Sequence, residues 1–133
     1  MFEDVRTRSV QATQAAEEFS KLYFETFDKR RQAICKIYQD KATVVWNGNA
    51  VSGTEEITKF FDSLPQSEFV TEGMDTQPIG AGIQNEGSNA IMVTFYGKVK
   101  FAGSNFKTFT QTFILSAHDN KWKIVSDNFR FTE

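Results

Sequence analysis

The second half of this chain is four long runs of strand-forming residues with short polar breaks between them. The runs are Glu68 to Ile79, Asn89 to Phe101, Phe106 to Ala117 and Lys121 to Phe131. In the last three, most apolar side chains recur at every second position, the period of a β-strand whose successive side chains point to opposite faces. The breaks carry turn chemistry: Gly80, Gly82, Asn85 and Gly87, then Ala102-Gly103-Ser104-Asn105, then Asp119-Asn120. Short turns between consecutive strands predict an antiparallel meander.

The two faces of that meander differ. One carries Ile91, Val93, Phe95, Gly97, Val99 and Phe101, then Phe109, Gln111, Phe113 and Leu115, then Val125, Phe129 and Phe131. It is apolar and should pack under helices. The other carries Met92, Thr94 and Tyr96, then Thr108, Thr110, Thr112 and Ile114, then Trp122, Ile124, Ser126 and Asn128, with no charge among them. A sheet face open to water usually carries Lys, Glu or Arg. Either good strand formers simply stand on an exposed face, or the face is covered by another protein, with Met92, Tyr96, Ile114, Trp122 and Ile124 as its apolar patch.

The first third has a different period. Val5, Ala12, Ala15, Ala16, Phe19, Leu22, Tyr23, Thr26 and Phe27 recur at steps of three and four, which predicts a helix over about 4–27. A shorter helix follows, with Ala33, Ile34, Ile37 and Tyr38 inward. Thr43 to Trp46 reads as a strand, Asn47-Gly48-Asn49 as a tight turn and Ala50-Val51 as a return strand. Ser52-x-x-Glu55 offers a capping box to a third helix that buries Ile57, Phe60, Phe61 and Leu64 and stops at Pro65. Helices first and a meander second is an α+β layout in a single domain over 1–133, with the helices packed on one face of a curved antiparallel sheet.

Composition removes several function classes. A formal net charge of −2 disfavours autonomous nucleic-acid binding. One cysteine, Cys35, excludes a disulfide framework and a Cys-based zinc site, and the single histidine, His118, sits in a turn sequence. No apolar run reaches the length of a membrane span, and MFEDVRTRSV lacks a signal stretch, so a reduced intracellular protein is expected. There is no P-loop, no G-x-G-x-x-G and no metal-spaced cluster.

Asp75, Asp127 and Tyr23 are the residues that a small acid/base enzyme on such a sheet would use. Asp75 lies in Gly73-Met74-Asp75-Thr76-Gln77-Pro78, where it faces solvent, pairs across an interface or acts as a buried base. The 14 Phe residues, with Phe95, Phe109, Phe113 and Phe129 among them, argue that the space under the sheet is filled. Lys29-Arg30-Arg31 with Lys36 reads as a solvated helix face, and Lys98, Lys100, Lys107, Lys121 and Lys123 read as strand-end charges.

The element order, together with Asp28-Lys29-Arg30-Arg31, the unbroken Val45-Trp46-Asn47-Gly48-Asn49-Ala50-Val51-Ser52-Gly53, Leu64-Pro65-Gln66-Ser67-Glu68-Phe69 and Trp122-Lys123-Ile124 through Ser126-Asp127-Asn128-Phe129-Arg130-Phe131, resembles the nuclear transport factor 2-like fold and, within it, the nuclear transport factor 2-related export proteins. The resemblance covers essentially the whole chain. It implies a non-enzymatic cofactor with no bound metal or coenzyme. Such a cofactor forms a heterodimer with the large TAP-family mRNA export receptor and supports mRNA export through nuclear pores, shuttling between nucleus and cytoplasm. Phe-Gly nucleoporins would be met through the complex, with no membrane contact and no direct sequence-specific nucleic-acid contact.

The resemblance further implies that the two domains join through their sheet faces, with Asp75 pairing an arginine of the partner. The partner interface expected here is Asp75, Met92, Thr94, Tyr96, Thr110, Thr112, Ile114, Trp122, Ile124 and Asn128. Alternatives are a homodimeric import factor for Ran-GDP and an isomerase or dehydratase of the same fold. The homodimeric factor is richer in methionine where this chain has Thr94, Thr112 and Asn128, and self-pairing could bring two copies of one acid together without a cation.

Overall fold

The structure, a computed structural model, describes residues 2–79, 89–118 and 121–132. The turns expected within 80–88 and at Asp119–Asn120 lie outside the described residues. The chain runs as helix α1 (Phe2–Lys29), a 3-10 helix (Arg31–Ile37), strand β1 (Tyr38–Trp46), strand β2 (Asn49–Ser52), helix α2 (Thr54–Asp62) and strands β3 (Ser67–Ile79), β4 (Asn89–Phe101), β5 (Lys107–His118) and β6 (Lys121–Phe131).

The six strands form one sheet in the order β2-β1-β6-β5-β4-β3. β3 to β6 make the antiparallel meander that the turns predict. The early hairpin then docks on the far edge, and β1 pairs with β6 in parallel. The sheet is therefore mixed, where strand period and turn length pointed only to antiparallel pairing. Val45 meets Asn128 and Trp46 meets Phe129 across that parallel seam, and the two rings stack with centroids 3.9 Å apart.

The core lies between the helices and one face of the sheet. Phe19, Tyr23 and Phe27, spaced by four along α1, stand on one stripe and meet Phe95, Phe113 and Phe69. Rings fill this layer edge to face and stacked, a geometry that adds to the burial of their area. Arg31 ties the layer together: its guanidinium donates to the carbonyl oxygen of Leu64 at 2.7 Å and to Ser67 Oγ at 2.9 Å, over the ring of Phe27. Ser67 in turn donates to Asp28 Oδ1 at 2.7 Å, and the Phe69 backbone N–H donates to Asp28 Oδ2 at 3.0 Å. Arg31 is thus an internal clamp within the basic run that reads as solvated.

Two expectations are corrected locally. The capping box does not form: Gly53, at φ +84°, is the N-cap of α2, and no side chain caps the helix. Tyr38 starts β1 instead of continuing a helix.

The larger correction concerns β6. Leu115 pairs with Ile124, but Ile114 pairs with Ser126, so Val125 is an extra residue that shifts the alternation. Trp122 and Ile124 therefore fall on the helix side. Ile124 is 0% exposed in the core, and Trp122 packs against that core from its edge. The strict alternation that put both on the opposite face does not survive the bulge.

Candidate functional site

The face of the sheet away from the helices is crossed by straight register rows. One runs Asp75, Thr94, Thr112, Asn128 and Val45 through β3, β4, β5, β6 and β1. The row on one side holds Gln77, Met92, Ile114 and Ser126; the row on the other holds Gly73, Tyr96, Thr110 and Arg130. Eight of the ten residues expected at the interface, all but Trp122 and Ile124, thus lie together on this face. Among the described residues no helix packs on it.

Its chemistry is mixed and largely neutral. Thr94 and Thr112 share a hydroxyl–hydroxyl hydrogen bond of 3.1 Å at the centre. Met92 and Ile114 are half-buried, while Tyr96 is 45% exposed. Tyr96 leans across β3, where Gly73 has no Cβ to obstruct its ring. Exposed Asp75 stands at one end of the central row, and exposed Arg130 on β6 stands in the neighbouring row. The face is thus less uniformly neutral than the even-numbered residues suggested. Arg130 could have been found by carrying the alternation two residues past Asn128.

A second bulge puts Asp75 there. Thr71 pairs with Gly97 but Gly73 pairs with Tyr96, so Glu72 is the extra residue in β3. Without it Asp75 would share the inward parity of Phe69. Gly97 permits the bulge, because a Cβ on it would collide with the Val70 carbonyl.

The three acid/base candidates separate. Asp75 is on the open face, whereas Tyr23 and Asp127 meet deep under α1. Tyr38 donates its hydroxyl to Asp127 Oδ2 at 2.5 Å and shares a 2.8 Å bond with the Tyr23 hydroxyl, and Gln111 Nε2 donates to Asp127 Oδ1 at 2.9 Å. All four residues are at most 1% exposed. Burial raises the Asp127 carboxyl to about 6, against the pull of Tyr38, Gln111 and Tyr23 toward the charged form. Burial and the nearby carboxylate push the Tyr23 and Tyr38 hydroxyls well above the ordinary phenol value. This is a wired pair of phenols and a carboxylate shut off from solvent, with Phe19, Phe95 and Phe113 packed beside it. Among the described residues no three His, Cys, Asp or Glu side chains converge as a metal site would require, and no helix is long and apolar enough to cross a membrane.

Known proteins carry the same pattern. Residues 15–131 match the family model of the nuclear transport factor 2 (NTF2) domain. Human NTF2-related export protein 2 is 46% identical, over 98% of this chain and 94% of its own length. The nuclear transport factor 2 of Cryptosporidium parvum superposes with a TM-score of 0.79 at 25% identity, over 92% of this chain and 95% of that one. A chain of the C. albicans Mtr2–Mex67 M domain complex superposes with a TM-score of 0.72 at 16% identity, over 90% and 94%, a likeness of fold.

Proposed function

The chain belongs to the NTF2 domain family, on the branch of the NTF2-related export proteins, and from that premise we propose that it is the small, non-enzymatic subunit of an mRNA export heterodimer. Its open sheet face docks on the NTF2-like domain of a large TAP-family export receptor. The pair carries messenger ribonucleoprotein through nuclear pores and shuttles between nucleus and cytoplasm. The fold-mate solved as the Mtr2–Mex67 M domain complex is a precedent for such a pair on this architecture.

The observation that carries the proposal is the row Asp75–Thr94–Thr112–Asn128, a nearly neutral strip with one acid at its end and no helix over it among the described residues. Met92, Tyr96 and Ile114 supply apolar area beside that strip. Asp75 and Arg130 supply charges that a partner must answer with opposite ones, which sets specificity and register more than raw affinity. In a two-fold self-pairing an Asp75–Arg130 contact would recur by symmetry, so the choice of a different polypeptide over a second copy rests on the kinship with the export proteins.

The non-enzymatic part of the proposal is supported by the Tyr23–Tyr38–Asp127 group. It has the residue types of an acid/base site but is sealed by aromatic side chains. The test is affinity capture from cells with tagged wild type and tagged Asp75→Arg. Wild type recovers the receptor; the variant, still folded, does not. Equal recovery by both would remove Asp75 from the interface.

A further inference from the structure

We propose that a groove on the helix side of the molecule, opposite the Asp75 row, is a second docking site, and that it takes an acidic peptide segment of another protein bearing large apolar side chains. The groove lies between α1, the 3-10 helix and the start of β6 and has a volume of about 540 Å³, a size that accepts a few side chains. Its floor is apolar: Phe19, Leu22, Ile37 and Trp122 line it. Leu22 is 52% exposed although it lies on the apolar stripe of α1, so this part of the stripe is left without a cover by the fold itself.

Charge tells which occupant fits. The lining includes Arg30 and Lys36 from the helix side against one acid, Glu18, with Lys121 and Lys123 flanking Trp122 at the β6 edge and alternating to the other face, in a chain whose formal net charge is −2. Cations gathered at an apolar groove on an otherwise slightly acidic protein complement carboxylates that flank apolar anchors. The groove is partly open to solvent, which suits a segment that seats apolar side chains between polar rims. The site is independent of what covers the sheet face, and the two can be filled together because they lie on opposite sides of the sheet.

The test uses the full chain and a short synthetic peptide that alternates Asp-Glu pairs with Leu-Phe pairs and lacks tryptophan. Of the two tryptophans, Trp46 is in the core and Trp122 lines the groove, so the binding signal should come from Trp122 and vanish in Trp122→Phe. Expected results are saturable binding that weakens as salt rises. Affinity should fall at least about tenfold with Leu22→Glu, with Lys36→Glu, or when the acids of the peptide are replaced by lysines. Amide shifts on the wild-type chain provide a reading that needs no variant: Leu22, Ala33 and Trp122 should move while Thr94 and Thr112 stay. The proposal is overturned if the lysine peptide binds equally, if shifts map elsewhere, or if only vesicles of anionic phosphatidylserine engage these residues.

Discussion

Asp75 on β3 stands directly opposite Thr94 on β4, and the same register row continues through Thr112 to Asn128. One exposed carboxylate therefore terminates a strip of neutral side chains that crosses four strands. A face built this way is poorly suited to water alone, and it is the basis for the proposed heterodimer.

Arg130 should matter to the complex but not to the fold. It is exposed on β6, opposite Thr110. Arg130→Glu is expected to weaken receptor binding by about tenfold or more while leaving stability within about 0.5 kcal/mol of wild type. Calorimetric titration at two salt concentrations, with thermal unfolding of the free variant, checks both parts.

The buried carboxyl makes stability depend on pH in an unusual direction. Asp127 titrates near 6 in the folded protein and near 3.8 as the ordinary value, so the folded state holds this proton more tightly than the unfolded one. The stabilisation is complete below about pH 4 and is lost as pH rises through 6. Tighter proton binding of this size is worth about 3 kcal/mol. Asp127→Asn should remove this slope and unfold at higher denaturant than wild type at pH 7, because no charge is then buried. Urea titrations between pH 4 and 7.5 decide it; a wild-type slope of the opposite sign would contradict the assignment.

Two glycines should separate folding from binding. A methyl at Gly97 meets the Val70 backbone, which cannot step aside, so Gly97→Ala should cost about 1–3 kcal/mol. A methyl at Gly73 meets only the far end of the Tyr96 ring, which can swing away. Gly73→Ala should therefore fold nearly as well as wild type yet bind the receptor less tightly, since Tyr96 leaves its place on the face.

Breaking the Arg31 clamp should loosen the joint between α1 and β3. Arg31→Ala leaves Asp28 half-buried without its nearby cation and frees the carbonyl of Leu64. A loss of about 1–3 kcal/mol is expected, with faster amide exchange at Ser67 and Phe69.

The helices, the meander and its inward aromatic face were legible because each rests on a period: four along α1 for Phe19, Tyr23 and Phe27, and two along β4 and β5 for Val93, Phe95, Phe113 and Leu115. What escaped were single-residue insertions. Val125 and Glu72 each add one residue to a strand, and neither has a side chain that announces a bulge. The first moved Trp122 and Ile124 under the helices; the second put Asp75 outward. The parallel seam between β1 and β6 was also hidden, since it joins segments about eighty residues apart and no local pattern encodes it. The Tyr38–Asp127 bond escaped for the same reason.

The most direct measurement is oxidative footprinting of the chain alone and mixed with the NTF2-like domain of its export receptor. Met92 and Tyr96 should become protected in the mixture while Leu22, on the helix side, reacts as before. Protection confined to the helix side, or unchanged reactivity at Met92 and Tyr96 in a mixture that does form a complex, would contradict a partner seated on the open sheet.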